Sequence, residues 1–147
     1  MDDSEQDRLK KKNILIIYTE MDDWTEEDKI TSTLSVEEMM AGLAALGFTK
    51  VFKKKVTGPI EETFAEFDPA ETIIFNWAES WGSDASDYWT IPEYLEKLGF
   101  VYTGSDPQCL KETIDKVVTK KILLANGIST PLTKIYEDNE PNGWITF

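Results

Sequence analysis

Histidine is missing from the sequence altogether. Without an imidazole, these residues can form no Ser-His-Asp triad, no histidine general base and no His-ligated zinc site. A single cysteine, Cys109, excludes an intramolecular disulfide and fits a reducing, cytoplasmic setting. With no histidine beside it, that thiol is also a poor candidate nucleophile. No apolar run approaches the roughly 18 residues of a membrane span, and the opening MDDSEQDRLKKK lacks the apolar core of a secretory signal. Positive charge is in deficit, with 15 Lys and Arg against 28 Asp and Glu and a net charge of −13. That balance argues against nucleic acid or an anionic membrane as partner. Neither GxGxxG nor GxxxxGK[ST] occurs, so no standard phosphate loop is present.

What is present is ordinary for a globular domain. The 147 residues are 41% hydrophobic and 29% charged, long enough to bury a core. Residues 1–12 are polar and read as a flexible tail. NILIIY at 13–18 is a short, β-branched, continuous apolar run, which predicts a strand buried on both faces. Residues 19–31, TEMDDWTEEDKIT, read as a long acidic connection. A helix is expected over 32–46, with Val36, Met39, Met40, Leu43 and Leu46 on one face. Ser35 with Glu38 would make its capping box, Ser32 being a rival cap, and Gly47 would end it.

Further strands are expected near 50–54 and over 72–76 and 100–102. Lys53, Lys54 and Lys55 mark the first of these as an edge or a strand end. A short helix carries Ile60, Phe64 and Phe67 after Gly58-Pro59. A second starts at Thr90-Ile91-Pro92-Glu93, with Thr90 as cap, and points Tyr94, Leu95 and Leu98 inward. A long helix over about 114–125 is closed by Asn126-Gly127, and residues 133–136 suggest a short fifth strand. The alternation predicts an α/β, Rossmann-like parallel sheet of about four strands with helices on both faces, plus a short C-terminal extension. Ligands in such sheets bind at the carboxyl ends of the strands, here residues 19–28, 76–88 and 103–106.

Four stretches could carry chemistry. Thr103-Gly104-Ser105 could bring backbone N–H groups to a ligand, or be a tight turn with Ser105 or Asp106 as a helix cap. Lys116, beside Asp115, could reach an anion or be a solvated lysine. The loop 77–89 holds Trp77, Trp81, Tyr88 and Trp89, which could wall a pocket or dock a partner. Its Glu79, Asp84 and Asp87 could bind a cationic group. Asp22, Asp23, Glu26, Glu27 and Asp28 lack the alternating EF-hand spacing, so no metal site is expected there.

Taken together, Tyr102-Thr103-Gly104-Ser105-Asp106-Pro107, Asp115-Lys116, Thr119-Lys120 and Asn126-Gly127-Ile128-Ser129-Thr130-Pro131 resemble the D-alanine–D-alanine ligase family of ATP-grasp enzymes. Upstream, Asn76, Glu79, Pro92, Leu95-Glu96 and Leu98-Gly99 resemble a divergent branch, with an Asn-x-x-Glu element in place of the usual His-Gly loop.

The resemblance implies a pre-ATP-grasp N-terminal domain over 13–131, followed at 132–147 by the start of the ATP-grasp region. It implies ATP and Mg²⁺ as cofactors, an acyl-phosphate mechanism, and an amino acid or peptide carboxylate as small-molecule substrate. It carries the expectation of a homodimer. By match, Lys116 is the nucleotide-binding lysine, and Asp28, Ser32 and Glu79 are the substrate-binding candidates. The glycine-rich Glu-His-Glu-type motif of the family is absent near Asp28, which bears on whether D-alanine is the substrate. The later nucleotide lysines, the catalytic arginine and the metal carboxylates of the family do not occur in these residues, so these residues alone are expected to be inactive. The rival expectation is a non-catalytic binding module that uses the Trp-rich loop as its interface.

Overall fold

The structure is a computed structural model that describes residues 3–21, 23–79, 81, 87–132, 134–135 and 145–146. It divides into two compact units, residues 1–107 and 108–147. The first unit contains α1 (Asp3–Lys10), β1 (Asn13–Tyr18), α2 (Glu26–Ala45), β2 (Val51–Lys55), α3 (Ile60–Phe64), β3 (Thr72–Trp77), α4 (Thr90–Leu98) and β4 (Val101–Tyr102). Its sheet has the order β2-β1-β3-β4, and every pairing is parallel. The expected Rossmann-like α/β architecture is what is observed.

Register explains the two layers. Ile14 pairs with Val51 and Ile73, and Leu15 pairs with Phe52 and Ile74. Because side chains alternate across a strand, Leu15, Ile17 and Ile74 share a face with Ile60 and Phe64 of α3, Ile91 and Leu95 of α4, and Phe100. Ile14, Ile16 and Val36 of α2 are buried apart from that cluster, on the opposite face. Full burial of side chains of this size contributes about 1.5–3 kcal/mol each. Helix α2, β1 and β2 pack together. Thus β1, fully apolar in sequence, is covered on both sides as its composition requires.

Helix ends follow one local rule. At the end of α4, Gly99 takes φ 79°. Its N–H donates to the Glu96 carbonyl at 3.0 Å, and the Phe100 N–H donates to the Leu95 carbonyl at 2.9 Å. This is the paired Schellman pattern, and it drops buried Phe100 into the core. The same pair of bonds closes α2 at Gly47-Phe48.

Helix starts are where the structure departs from the sequence expectation. Residues 3–10, read as part of a tail, are helical; Glu, Gln, Arg, Leu and Lys are good helix formers. Helix α2 begins at Glu26, not Ser32, and its cap is Thr25. A full capping box joins the Thr25 side chain to the Asp28 N–H and the Asp28 carboxylate to the Thr25 N–H. Ser35, the expected cap, lies inside the helix and donates to the Thr31 carbonyl at 2.9 Å. Leu46, placed on the buried stripe, is 66% exposed. Trp89 rather than Thr90 occupies the cap position of α4; the Thr90 hydroxyl donates backwards to the Asp87 carbonyl at 2.7 Å.

In the second unit the helix expected over about 114–125 is α6 (Lys116–Ala125), and a separate helix, α5 (Pro107–Ile114), precedes it. Asp115 interrupts them, its Oδ1 accepting from the N–H groups of Val117 (2.8 Å) and Val118 (3.1 Å). An aspartate that can bond the backbone two and three residues on competes with helix continuation. The Gly127-Ile128 end of α6 repeats the Schellman bonds. Lys120 and Lys121 fall before the last turn of α6, where the macrodipole is weak. Short antiparallel strands β5 (Lys134–Ile135) and β6 (Ile145–Thr146) pair beyond it.

Candidate functional site

In a parallel sheet of order β2-β1-β3-β4, the chain leaves β1 toward β2 and later returns to the other side of β1 as β3. The carboxyl ends of β1 and β3 are therefore the topological switch point, where a crevice opens. Thr19 follows β1 and is buried; its Oγ1 accepts the Glu79 N–H at 3.2 Å, tying the segment after β3 to the end of β1. Asn76 and Thr103 brace the same end, the Asn76 N–H donating to the Thr103 hydroxyl at 3.0 Å.

A cleft of about 430 Å³ opens here. Its floor is Thr19, its walls carry the indoles of Trp24 and Trp77, and Glu79 sits at the β3 side. Helix α2 supplies Asp28, Thr31, Ser32 and Ser35, which recur at helical spacing along one side. All three substrate-binding candidates read from the sequence, Asp28, Ser32 and Glu79, thus line one cavity.

The electrostatics of the cleft are one-sided. Two carboxylates line it, and no lysine or arginine does among the described residues. The start of α2 carries Glu26, Glu27 and Asp28, so its positive dipole end is already met by acids and offers little to a further anion. The Thr25 hydroxyl and N–H hold the Asp28 carboxyl below the usual carboxylate range. Just below the cleft, Lys55 bonds Glu20 and lowers its carboxyl, with a smaller contribution from the Thr33 hydroxyl, against a burial cost. Asp28 is therefore ionised at neutral pH, and a cleft lined by two carboxylates and, among the described residues, by no lysine or arginine suits an ammonium rather than a carboxylate or phosphate.

Lys116, the nucleotide candidate, belongs to the second unit. It is the first residue of α6, placed there by the Asp115 cap. A hollow of about 300 Å³ surrounds it, lined also by Thr113, Thr119, Lys120, Ser129 and Thr130. Lys120 donates to the Pro131 carbonyl at 2.7 Å, and the Thr119 hydroxyl bonds the carbonyls of Glu112 and Asp115, at 2.9 Å each. Lys116 itself is exposed, with no ion pair among the described residues. A lysine in a first helical turn opposes the macrodipole; a local choice that works against stability is what a site for an external anion leaves behind.

Comparison with known proteins agrees with this sequence and fold. A D-alanine–D-alanine ligase of Synechococcus sp. (strain JA-3-3Ab) is 34% identical over 70 residues, 48% of this chain and 21% of that protein. One from Bordetella petrii is 32% identical over 79 residues, 52% of this chain and 23% of that protein. One from Polaromonas sp. is 48% identical over 42 residues, 29% of this chain and 12% of that protein. Over about half of its length the chain is similar to D-alanine–D-alanine ligases. No family model matches it, and the matched segment spans about a fifth of the length of the first two relatives.

The described residues of the Trp-rich loop divide between structure and site. Trp81 is a packing residue: its Nε1–H donates to the Gly58 carbonyl at 2.9 Å, and its ring meets Tyr94 edge-on at 6.0 Å. Tyr94 in turn donates to Glu61 and lies under Lys97. Trp77, 50% exposed, faces the cleft. Asp84 lies outside the described residues. Among the described residues no group of three His, Cys, Asp or Glu side chains is arranged to hold a metal ion, and no helix is long and apolar enough to cross a membrane. Trp24, Thr31 and Ser35 were not among the sequence candidates. Their signal was the 28–31–35 helical spacing, visible only once α2 is extended back to Thr25.

Proposed function

We propose that this chain is the substrate-side N-terminal domain of an ATP-dependent carboxylate–amine ligase. Residues 13–131 are the pre-ATP-grasp domain, and 132–147 begin the ATP-grasp region. One observation carries the reading: in a ligase-like chain, Asp28, Ser32 and Glu79 converge on a cation-seeking cleft at the sheet's switch point.

In this reading the cleft holds the amino end of the first substrate. Asp28 and Glu79 attract its ammonium, the Ser32 hydroxyl accepts a hydrogen bond from it, and Trp24 and Trp77 exclude water from the arm beside it. ATP with Mg²⁺, when bound, would supply a phosphoryl group to activate the substrate carboxylate, with ADP released and phosphate leaving as an amine forms the new bond. Lys116 fits the phosphate end of a nucleotide, being an exposed cation at a helix N-terminus. Its role is charge stabilisation as phosphoryl transfer proceeds. The described residues offer no carboxylate cluster for the metal, so the 147 residues alone are proposed to be inactive.

The test is amino-acid-dependent ADP release by the protein expressed from its complete gene. Turnover that Lys116→Met abolishes, with an unchanged urea denaturation curve, supports the reading. Absence of ATP turnover across a panel of D- and L-amino acids and dipeptides, or full turnover by Lys116→Met, refutes it.

A further inference from the structure

Four acids around this sheet are paired with lysines. Glu20 pairs with Lys55, Glu37 with Lys53, Glu66 with Lys54 and Glu71 with Lys12. The two carboxylates of the cleft stand apart. Glu79 has no side-chain partner among the described residues. Both bonds that Asp28 makes with Thr25 fall on Oδ2 at 3.1 and 2.6 Å, which leaves Oδ1 without one. The hydroxyls divide in the same way. Thr19, Thr31 and Ser35 are engaged by the fold, the first accepting from the Glu79 N–H and the others donating to the Glu27 and Thr31 carbonyls. Ser32, half-buried on the cleft side of α2, has no hydrogen bond among the described residues.

We propose that this cleft receives a doubly cationic amine, so that the amino acid taken up by the protein is a basic one, with a second ammonium on a methylene arm. The inference rests on the ligase reading only for the word substrate; the binding claim stands on the cleft. Three features favour a second charge and an arm over a small neutral side chain. The cleft is lined by two carboxylates and, among the described residues, by no lysine or arginine, so it can face a second ammonium as well as a first. Its two indoles offer apolar faces that a methylene chain covers and that attract a cation at close range. Its volume, about 430 Å³, lies in the range of sites for molecules well beyond alanine in size. An alanine methyl would leave half-exposed Trp77 in water.

Calorimetric titration of the protein expressed from its complete gene tests this, with 1,5-diaminopentane, pentylamine, lysine and D-alanine as probes. The diamine is expected to bind about tenfold more tightly than pentylamine at low ionic strength, with the gap narrowing in high salt. Glu79→Gln, which removes no bond of the fold, should bring the diamine down to the monoamine. Trp77→Leu should weaken both amines by the same factor. Equal binding of the two amines, no binding of either, or tighter binding of D-alanine than of lysine overturns the proposal. ADP release by the same preparation separates the two readings. Turnover that prefers D-alanine to lysine sustains the ligase and overturns the basic substrate. Tight diamine binding with no turnover on any amino acid sustains the cleft assignment and refutes the ligase.

Discussion

Replacing Gly99 by alanine isolates the cost of one backbone conformation. Gly99 sits at φ 79°, and a Cβ built there meets nothing within 4 Å, so no clash enters the sum. The left-handed conformation costs an L-residue about 1–2 kcal/mol. Restricting the unfolded chain returns about 0.4–1 kcal/mol, leaving a net loss of about 1 kcal/mol. Gly42 is the matched control. It lies inside α2 with the same open space around its notional Cβ, and a helix-interior glycine-to-alanine change gains about 0.8–1 kcal/mol. The two single-methyl substitutions should therefore separate by about 2 kcal/mol with opposite signs, or about 3–5 °C in melting temperature each way. Urea denaturation followed by far-UV circular dichroism reads both. Gly99→Ala at wild-type stability would mean that α4 does not end in the left-handed turn that delivers Phe100 to the core. A destabilised Gly42→Ala would mean that α2 is not continuous helix at that point.

Two further outcomes follow from the caps and from the one strongly shifted group. Thr25→Ala should cost about 1 kcal/mol by removing the side-chain half of the capping box of α2, and an NMR titration should show the Asp28 carboxyl moving upward toward its ordinary value. The Tyr102 phenol is pushed up to about 12, first by burial and then by the hydrogen bond that it donates to Glu96 at 2.8 Å. Its folded-state value is the raised one, so this contribution to stability is complete below the unfolded value near 10 and is lost as pH rises toward 12. In absorbance titration near 295 nm, Glu96→Gln should lower the last tyrosine transition, and an unchanged transition would refute the assignment.

The strands were legible in the sequence because their signals are strong and short-ranged. NILIIY has no reading other than a covered strand, and its observed bounds are Asn13–Tyr18. Leu98-Gly99-Phe100 was legible for the same reason: a glycine followed by an apolar residue encodes the turn and its anchor within three positions. Helix starts were not, because Ser35-x-x-Glu38 and Thr25-x-x-Asp28 offer the same donors and acceptors. The choice between them lies in whether residues 26–31 fold back on the sheet, which is a tertiary matter. Asp115 was misread likewise, since an aspartate inside a periodic apolar pattern is either a solvated helix residue or the cap of a new helix. The candidate cleft was half legible. Asp28 and Glu79 lie within two of the strand-end segments singled out by the alternation, and Ser32 lies one helical turn beyond the first. That they share one cavity depends on β3 lying directly against β1, which the order of elements along the chain does not specify.

The lysines of β2 have a consequence for how this molecule behaves in a crowded solution. β2 is one of the two edge strands of the sheet, and Lys53, Lys54 and Lys55 alternate across it, each tethered to an acid from a different segment: Glu37, Glu66 and Glu20. A second molecule that tried to extend the sheet along this margin would have to strip three ion pairs and stack its own lysines against these. A chain with this much acid elsewhere thus concentrates cations on one of the two margins where strands could add, and so disfavours growth of the sheet at that edge.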